Sequence, residues 1–126
     1  MATASSYRVI LDTNFLLAPF QFRVDIFAEI ERILDVKYDL YVTDGVISEL
    51  RGLMTMDAKG ALSLVKELPR IATEGKDVDE ALLALASKNT IMCTNDKILI
   101  EKLKSKGAPV IYLRQKNHLI LDGYLR

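Results

Sequence analysis

Short apolar runs alternate along the chain with longer segments in which apolar residues recur at every third or fourth position. The short runs are rich in β-branched residues, and they predict strands at 7–11, 39–43, 90–94 and 109–113, with weaker candidates at 70–73 and 118–121. The longer segments predict amphipathic helices at 24–34, 45–53, 56–68, 77–88 and 97–106. A short helical turn is expected at 14–18, where Pro19 would end it.

The alternation of strands with helices of about ten residues is typical of right-handed βαβ units. It predicts an α/β fold with three layers (α/β/α) around a mostly parallel sheet of four or five strands. No repeat, linker or low-complexity segment interrupts the chain. Because the chain has 126 residues, 50% of them hydrophobic, residues 1–126 are expected to form a single domain with one core.

A few residue counts narrow the chemistry. The single cysteine, Cys93, excludes an intrachain disulfide framework, and with the single histidine, His118, it cannot make a closed zinc site. No apolar run approaches the roughly 20 residues of a membrane-spanning helix. Residues 1–6 lack the pattern of a signal peptide. We therefore expect a cytoplasmic protein that does not enter a membrane.

The charge is distributed unevenly, although 17 basic and 17 acidic residues cancel over the whole chain. Residues 1–96 contain 10 basic and 15 acidic residues, a net charge of −5, whereas residues 97–126 contain 7 and 2, a net charge of +5. An acidic segment, which could bind a metal ion, is thus followed by a basic segment, which could bind phosphates. Arg114 and Lys116 directly follow a predicted strand and are candidate phosphate contacts.

Several acidic residues follow predicted strands or begin predicted helices. Asp12 follows the first strand, Asp44 the second and Asp96 the strand at 90–94, whereas Asp77 and Asp79 begin the helix at 77–88. Ligand sites in parallel sheets form beyond the carboxyl ends of the strands, so these carboxylates are expected at one edge. Helix capping is the simpler account of such residues, and it is sufficient for Asp77 and for Asp44, with Thr43 as the alternative cap beside Asp44.

Asp12 and Asp96 differ because short polar side chains adjoin them, and such side chains can orient a carboxylate by hydrogen bonding. These neighbours are Thr13, Asn14, Thr94 and Asn95. Glu49 borders the apolar face of the helix at 45–53, where a carboxylate needs a partner. Asp12, Asp96 and Glu49 are therefore the acids that capping explains least well.

Carboxylates gathered at one edge repel each other unless a cation neutralises them. Hard oxygen ligands without His or Cys favour Mg²⁺ or Mn²⁺, and such ions activate water for hydrolysis of a phosphodiester. Cys93 lies within an apolar strand without a His nearby, and no glycine-rich phosphate loop is present. The residues therefore indicate metal-dependent hydrolysis.

Four motifs in order, VILDTNFLL, ISEL, VDEALLALA and IMCTNDKIL, resemble those of PIN-domain nucleases over about residues 8–113. The stretch PVIYLRQKNHLIL is similar to archaeal PIN proteins related to the rRNA-processing endonucleases of the small ribosomal subunit, in the same VapC-like superfamily. The resemblance implies that the catalytic and metal-binding acids are Asp12, Glu49, Asp79 and Asp96, with Asp77 as the alternative to Asp79.

The resemblance implies an Mg²⁺- or Mn²⁺-dependent endoribonuclease for single-stranded RNA, with pre-rRNA as a candidate substrate and Arg114 and Lys116 as RNA contacts. Two alternatives stay open: a VapC-type toxin ribonuclease paired with an antitoxin, and a catalytically silent PIN-like scaffold that binds RNA or protein. A homodimer is also implied. Phe15, Phe20, Phe22 and residues 61–65 offer apolar surface for one, and core packing explains these side chains equally well.

Overall fold

Six strands and six helices make up the regular structure of residues 6–125, the part of the chain that this computed structural model describes. The strands are β1 (Tyr7–Leu11), β2 (Tyr38–Thr43), β3 (Arg70–Ile71), β4 (Thr90–Cys93), β5 (Val110–Arg114) and β6 (His118–Asp122). The helices are α1 (Thr13–Phe22), α2 (Ile26–Ile33), α3 (Asp44–Leu53), α4 (Met56–Val65), α5 (Val78–Leu85) and α6 (Lys97–Ser105). No helix in this part of the chain is long and apolar enough to span a membrane.

All the strands pair in one sheet, in the order β3-β2-β1-β4-β5-β6. The first five run parallel, and β6 is antiparallel to β5. The prediction of a mostly parallel α/β sheet is confirmed, but six described strands replace the four or five expected because both weak candidates pair. β3 adds only two residues at one edge. At the other edge β6 returns along β5 after a turn in which Gln115 and Lys116 have positive φ angles of 54° and 59°.

Alternate strand residues face different helices, as the two-residue period of a strand requires. Val9 and Leu11 pack in a core cluster with side chains of α1 to α4, whereas Ile10, between them, packs with side chains of α5 and α6. In β4, Met92 likewise belongs to the cluster on the α5 and α6 side. Helices therefore cover both faces of the sheet, and the predicted three-layer arrangement is confirmed.

Helix α1 is longer than predicted because Pro19 lies inside it instead of ending it. Proline removes one backbone hydrogen bond from a helix interior. The buried side chains of Phe15, Leu16 and Ala18 hold the helix against the core before Pro19, and the ring of Phe20 lies against Gly60 of α4 after it. Full burial of Phe15 also makes it part of the core, so it is not the exposed dimer contact considered from sequence.

Helices α1 and α4 pack closely at Gly60, in α4. A Cβ atom at this position would overlap the ring of Phe20, so a larger residue would have to displace that ring. Gly52, in α3, is different because a Cβ atom there would have open space around it. Phe20 therefore serves the packing of α1 on α4, although its residue surface is 39% exposed.

Side chains of α2 occupy the outer edge of β6. Glu29 Oε1 accepts a hydrogen bond from Leu119 N at 3.0 Å, and Arg32 Nη2 donates one to Leu119 O at 3.3 Å. Glu29 and Arg32 also form an ion pair with a separation of 2.7 Å. The hydrogen bonds from Arg32 and from the Leu119 backbone lower the pKa of Glu29 to about 2, so this carboxylate stays ionised near neutral pH.

Candidate active site

The four acids singled out from the sequence line one cleft of about 310 Å³ beyond the carboxyl ends of β1 and β4. They come from four separate elements, since Asp12 precedes α1, Glu49 lies in α3, Asp79 lies in α5 and Asp96 precedes α6. The remaining walls are formed by Thr13, Asn14, Leu17 and Leu53. The parallel sheet thus brings together residues that are up to 84 positions apart in the chain.

Asp12 is the buried acid of the cleft, with 4% of its surface exposed. Its Oδ1 accepts a hydrogen bond from Thr13 N at 2.8 Å, and its Oδ2 accepts one from Thr94 Oγ1 at 2.7 Å. Burial raises the pKa of Asp12 above its ordinary value of 3.8, and the charges of Asp79 and Glu49 raise it further, while the two hydrogen bonds oppose the change. Asp12 is therefore rigidly held in a region of excess negative charge.

The short polar side chains beside Asp12 and Asp96 form hydrogen bonds that link the ends of β1, β4 and β5. Asn14 Oδ1 accepts a hydrogen bond from Asn95 N at 3.0 Å, and Asn95 Oδ1 accepts one from Leu113 N at 2.8 Å. Thr94 Oγ1, besides donating to Asp12, accepts from Asp96 N at 3.2 Å. The structure thus places Asn14, Thr94 and Asn95 in the hydrogen-bonding positions that the sequence suggested.

Thr13 is the exception among these neighbours. Its hydroxyl is buried beside the cleft and has no hydrogen-bond partner among the residues that the structure describes. A buried hydroxyl without a partner carries a free-energy cost. A cation or its water in the cleft would remove that cost.

Asp96 combines capping with a place in the cleft. Its Oδ1 accepts hydrogen bonds from Ile98 N at 2.9 Å and from Leu99 N at 3.2 Å, which caps the start of α6. The capping explanation is therefore correct for Asp96 without excluding it from the site, since the residue also lines the cleft.

The choice between Asp77 and Asp79 is a matter of which cleft each lines. Asp79 lines the cleft of Asp12, whereas Asp77 lines a neighbouring cleft that also includes Glu49. The pKa of Asp79 is raised by partial burial and by the charges of Asp96, Asp77 and Glu49, against an opposing effect of Lys102. This placement favours Asp79 as the third acid.

The capping role expected of Asp44 and Asp77 is wrong for both side chains. Thr43 Oγ1 caps α3 by accepting from Val46 N, and Asp77 occupies the N-cap position of α5 but makes no capping hydrogen bond with its side chain. Asp44 instead accepts hydrogen bonds from the amide and the hydroxyl of Thr73, which lower its pKa. This contact joins the start of α3 to the loop before α5, and so to the element that carries Asp79.

The donor set fits a hard divalent cation. Carboxylate, amide and hydroxyl oxygens line the cleft without any His or Cys. Within residues 6–125 no three metal-binding side chains already surround one point. Asp12, Glu49, Asp79 and Asp96 would be the residues that hold such a cation, and it would neutralise their charge.

Some basic side chains of the C-terminal segment bind other residues of the fold, and others do not. Lys104 pairs with Asp122 at 2.9 Å, and Lys106 Nζ donates to the carbonyl of Leu83 at 2.6 Å. Arg114 ends β5, at the same edge of the sheet as the acids. Lys116 lies in the following turn, where its Nζ is 5.5 Å from the centroid of the Phe22 ring. Arg114 thus lies at the same sheet edge as the acids and Lys116 lies against Phe22, whereas Lys104 and Lys106 make contacts within the fold.

A family model for a PIN like domain matches residues 9–116. This chain belongs to the PIN-like domain family. The resemblance drawn from the four motifs is confirmed, and the acids of the cleft are those that the PIN motifs indicated.

Two ribonucleases and one endonuclease resemble this PIN-like domain over almost its whole length. Ribonuclease VapC4 of Methanocaldococcus jannaschii is 34% identical over 128 residues, which cover 93% of this chain and 98% of the relative. Ribonuclease VapC9 of Archaeoglobus fulgidus is 28% identical, with coverage of 90% and 87%. The solved structure of the PIN domain endonuclease Utp24 superimposes with a TM-score of 0.82 at 25% identity, covering 94% of this chain and 93% of that one.

Proposed function

We propose that this PIN-like domain is a divalent-cation-dependent endoribonuclease that hydrolyses phosphodiester bonds of single-stranded RNA. The observation that carries the proposal is the convergence of Asp12, Glu49, Asp79 and Asp96 in one cleft from four separate elements. Support comes from the relatives, two of which are named ribonucleases and one a PIN domain endonuclease. Hydrolysis of RNA is the function that agrees both with the acidic cleft and with the activities of these relatives.

Each acid has a role that follows from its surroundings. Asp12 is the fixed ligand, because Thr94 and the Thr13 amide hold its two oxygens. Asp96 is partly fixed by capping α6, whereas Glu49 and Asp79 are exposed side chains that could hold a bound cation or its water. A bound Mg²⁺ or Mn²⁺ ion would activate water and neutralise the charge that develops on the phosphate.

RNA phosphates would be held beside the cleft by Arg114 and Lys116, and Lys102 adds a positive charge near Asp79. These cations offset the acids that would otherwise repel a polyanion, and each phosphate they bind contributes to the salt dependence of affinity. Neutral total charge is compatible with RNA binding because the opposite charges lie in separate parts of the chain.

RNA processing is the role we favour, with pre-rRNA as the substrate. The resemblance of the stretch PVIYLRQKNHLIL to PIN proteins related to rRNA-processing endonucleases supports it, and the matching solved structure over 94% of this chain is that of a PIN domain endonuclease. A second candidate is a toxin ribonuclease with an antitoxin as partner, and the 34% identity to Ribonuclease VapC4 supports that role. Expression of the wild-type chain alone in a bacterial host separates the two: growth arrest that Asp12→Asn abolishes supports the toxin, and normal growth with active enzyme supports processing.

Cleavage of a labelled single-stranded RNA tests the proposed activity. We expect cutting with Mg²⁺ or Mn²⁺, none with EDTA, and a loss of at least about 100-fold for Asp12→Asn and Asp79→Asn, the scale of removing a group that stabilises transition-state charge. Asp77→Asn is the matched control on the same helix end and should retain most activity. Equal cleavage by wild type and Asp12→Asn would refute the proposal, and a wild type that binds RNA without cutting it would indicate the silent scaffold.

A further inference from the structure

We propose that Phe22 is a stacking platform for one base of the bound RNA, with Arg23 and Lys116 holding the adjoining phosphates. This inference rests on the proposed function and adds to it a second contact with the substrate, outside the acidic cleft. It is carried by the position of Phe22, by its surrounding charges and by its contrast with Phe20.

Two elements that begin or end near the cleft, α1 and β5, lead to the ring of Phe22. Helix α1 follows Asp12 and ends at Phe22 ten residues later, so the Cα of Phe22 lies about 15 Å along the helix axis from that of Asp12. The turn after β5 touches the same ring through Lys116. The end of β5 is in turn tied to the site, because Asn95 accepts a hydrogen bond from Leu113 N. A strand of RNA leaving the cleft along α1 would therefore reach Phe22 within a few nucleotides.

The chemistry around Phe22 matches a single-stranded nucleic acid. The residue is 37% exposed, and Lys116 Nζ lies 5.5 Å from its ring centroid. Arg23, directly after it, and Arg114, at the end of β5, are exposed. None of these three cations forms an ion pair with another residue in the described part of the chain. An aromatic ring among unpaired cations offers a face to a base and positive charge to the flanking phosphates.

A second copy of this chain is a poorer occupant of the same surface. Interface cores between proteins are depleted of charged residues. A symmetric contact through Phe22 would bring Arg23, Lys116 and Arg114 against their own copies, and like charges brought together in this way are destabilising. A polyanion removes the same repulsion.

Phe20 shows that exposure alone does not explain Phe22. Its surface is 39% exposed, nearly the same as that of Phe22, but its ring fills the space above Gly60 between α1 and α4. Phe20 therefore has a packing role, whereas the contact described for the Phe22 ring is with a cation. The two residues form a matched pair for a test.

The test measures binding of a fluorescent single-stranded RNA of about ten nucleotides to Asp12→Asn protein in EDTA, so that nothing is cut. We expect F22L to weaken binding roughly 5- to 150-fold, the range of one lost base stack, with an unchanged slope of affinity against salt. F20L should bind like the parent, and K116Q should lower the salt slope by about 0.7. RNA with one abasic nucleotide at the stacked position should bind F22L and parent equally.

Three results would overturn the platform: F22L binding as tightly as the parent, F20L and F22L losing affinity equally, or sedimentation showing that F22L converts a dimer into a monomer. Circular dichroism checks that each variant is folded, and F22Y, which keeps an aromatic face, should restore binding. If the wild-type protein cuts RNA while F22L binds normally, only the platform is wrong. If the parent binds no RNA and the wild-type protein cuts none with Mg²⁺ or Mn²⁺, the platform and the proposed function are both wrong.

Discussion

Removal of one buried hydroxyl, that of Thr94, should test how the cleft holds its fixed carboxylate. Thr94 is 1% exposed, and its Oγ1 donates to Asp12 Oδ2 at 2.7 Å and accepts from Asp96 N at 3.2 Å. Thr94→Val keeps the shape of the side chain but removes both bonds. The matched control is Thr90→Val, at the other end of β4, because Thr90 is equally buried and its Oγ1 lies 2.9 Å from Ser87 Oγ.

The expected loss of stability differs between the two substitutions because the acceptor of the Thr94 hydrogen bond is an ionised carboxylate. A hydrogen bond to an ionised group contributes about 1.5–3 kcal/mol to the free energy of unfolding, and a neutral one about 1 kcal/mol. The added methyl group of valine recovers about 0.8 kcal/mol in either case. Thr94→Val should therefore lower the free energy of unfolding by about 1–2 kcal/mol near pH 7 and Thr90→Val by less than about 0.5 kcal/mol.

The pH dependence has a definite sign. The Thr94 hydrogen bond lowers the pKa of Asp12 against burial, which raises it, so Thr94→Val should raise that pKa further. A carboxyl group whose pKa is raised in the folded state contributes stability that is complete below its unfolded pKa and is lost as the pH rises through the folded pKa. The loss in free energy of unfolding caused by Thr94→Val should thus be small near pH 3, where Asp12 is protonated, and should grow toward about pH 7.

Urea unfolding in EDTA over this pH range measures both variants. In parallel, the acid limb of the pH profile of RNA cleavage should move to higher pH for Thr94→Val and stay in place for Thr90→Val, since Asp12 must be ionised to bind a cation. A Thr94→Val deficit that equals the control or does not vary with pH would refute the reasoning about Asp12.

Other perturbations test the packing, the loop contact and the metal site. Gly60→Ala should leave the free energy of unfolding unchanged or lower it by up to about 1 kcal/mol, because displacement of the Phe20 ring by the new Cβ offsets the helix preference for alanine. Gly52→Ala should raise it by up to about 1 kcal/mol, and equal urea midpoints for the two would contradict the packing argument. Asp44→Asn should lower the melting temperature at neutral pH, because the Thr73 hydrogen bonds lower the pKa of Asp44 and their contribution is lost only as the pH falls through that pKa; a difference that persists in acid would count against it. Mn²⁺ at 100 times its dissociation constant should stabilise the wild-type protein by about 2.7 kcal/mol, and an unchanged melting temperature would exclude a metal site.

The layered fold could be predicted because strand and helix periods are local properties of the sequence. The central strands contain continuous apolar runs, which predict buried strands of a parallel sheet. The edge strands were harder to count, since β3 has only two residues and β6 depends on a turn in which Gln115 and Lys116 have positive φ angles. The helix through Pro19 was missed because tertiary burial of its neighbours outweighs the local preference of proline.

The cleft was partly predictable for a similar reason. Asp12 and Asp96 follow strands, and the carboxyl ends of parallel strands meet at one edge. Asp44 could not be assigned from sequence, because its partner Thr73 lies 29 positions away and no local pattern marks the contact. The difference between Phe20 and Phe22 was equally hidden, since it depends on which ring meets Gly60 and which meets Lys116.

The side chains of Glu29 and Arg32 on the outside of β6 limit how this protein can assemble. An open sheet edge is a template on which another chain can add a strand. At Leu119 the outward amide and carbonyl are already bonded to Glu29 and Arg32, so an incoming strand would first have to break an ion pair. At the opposite edge β3 offers only two residues. Addition of a strand from a second molecule is therefore disfavoured at Leu119, and β3 offers few backbone groups for it at the opposite edge.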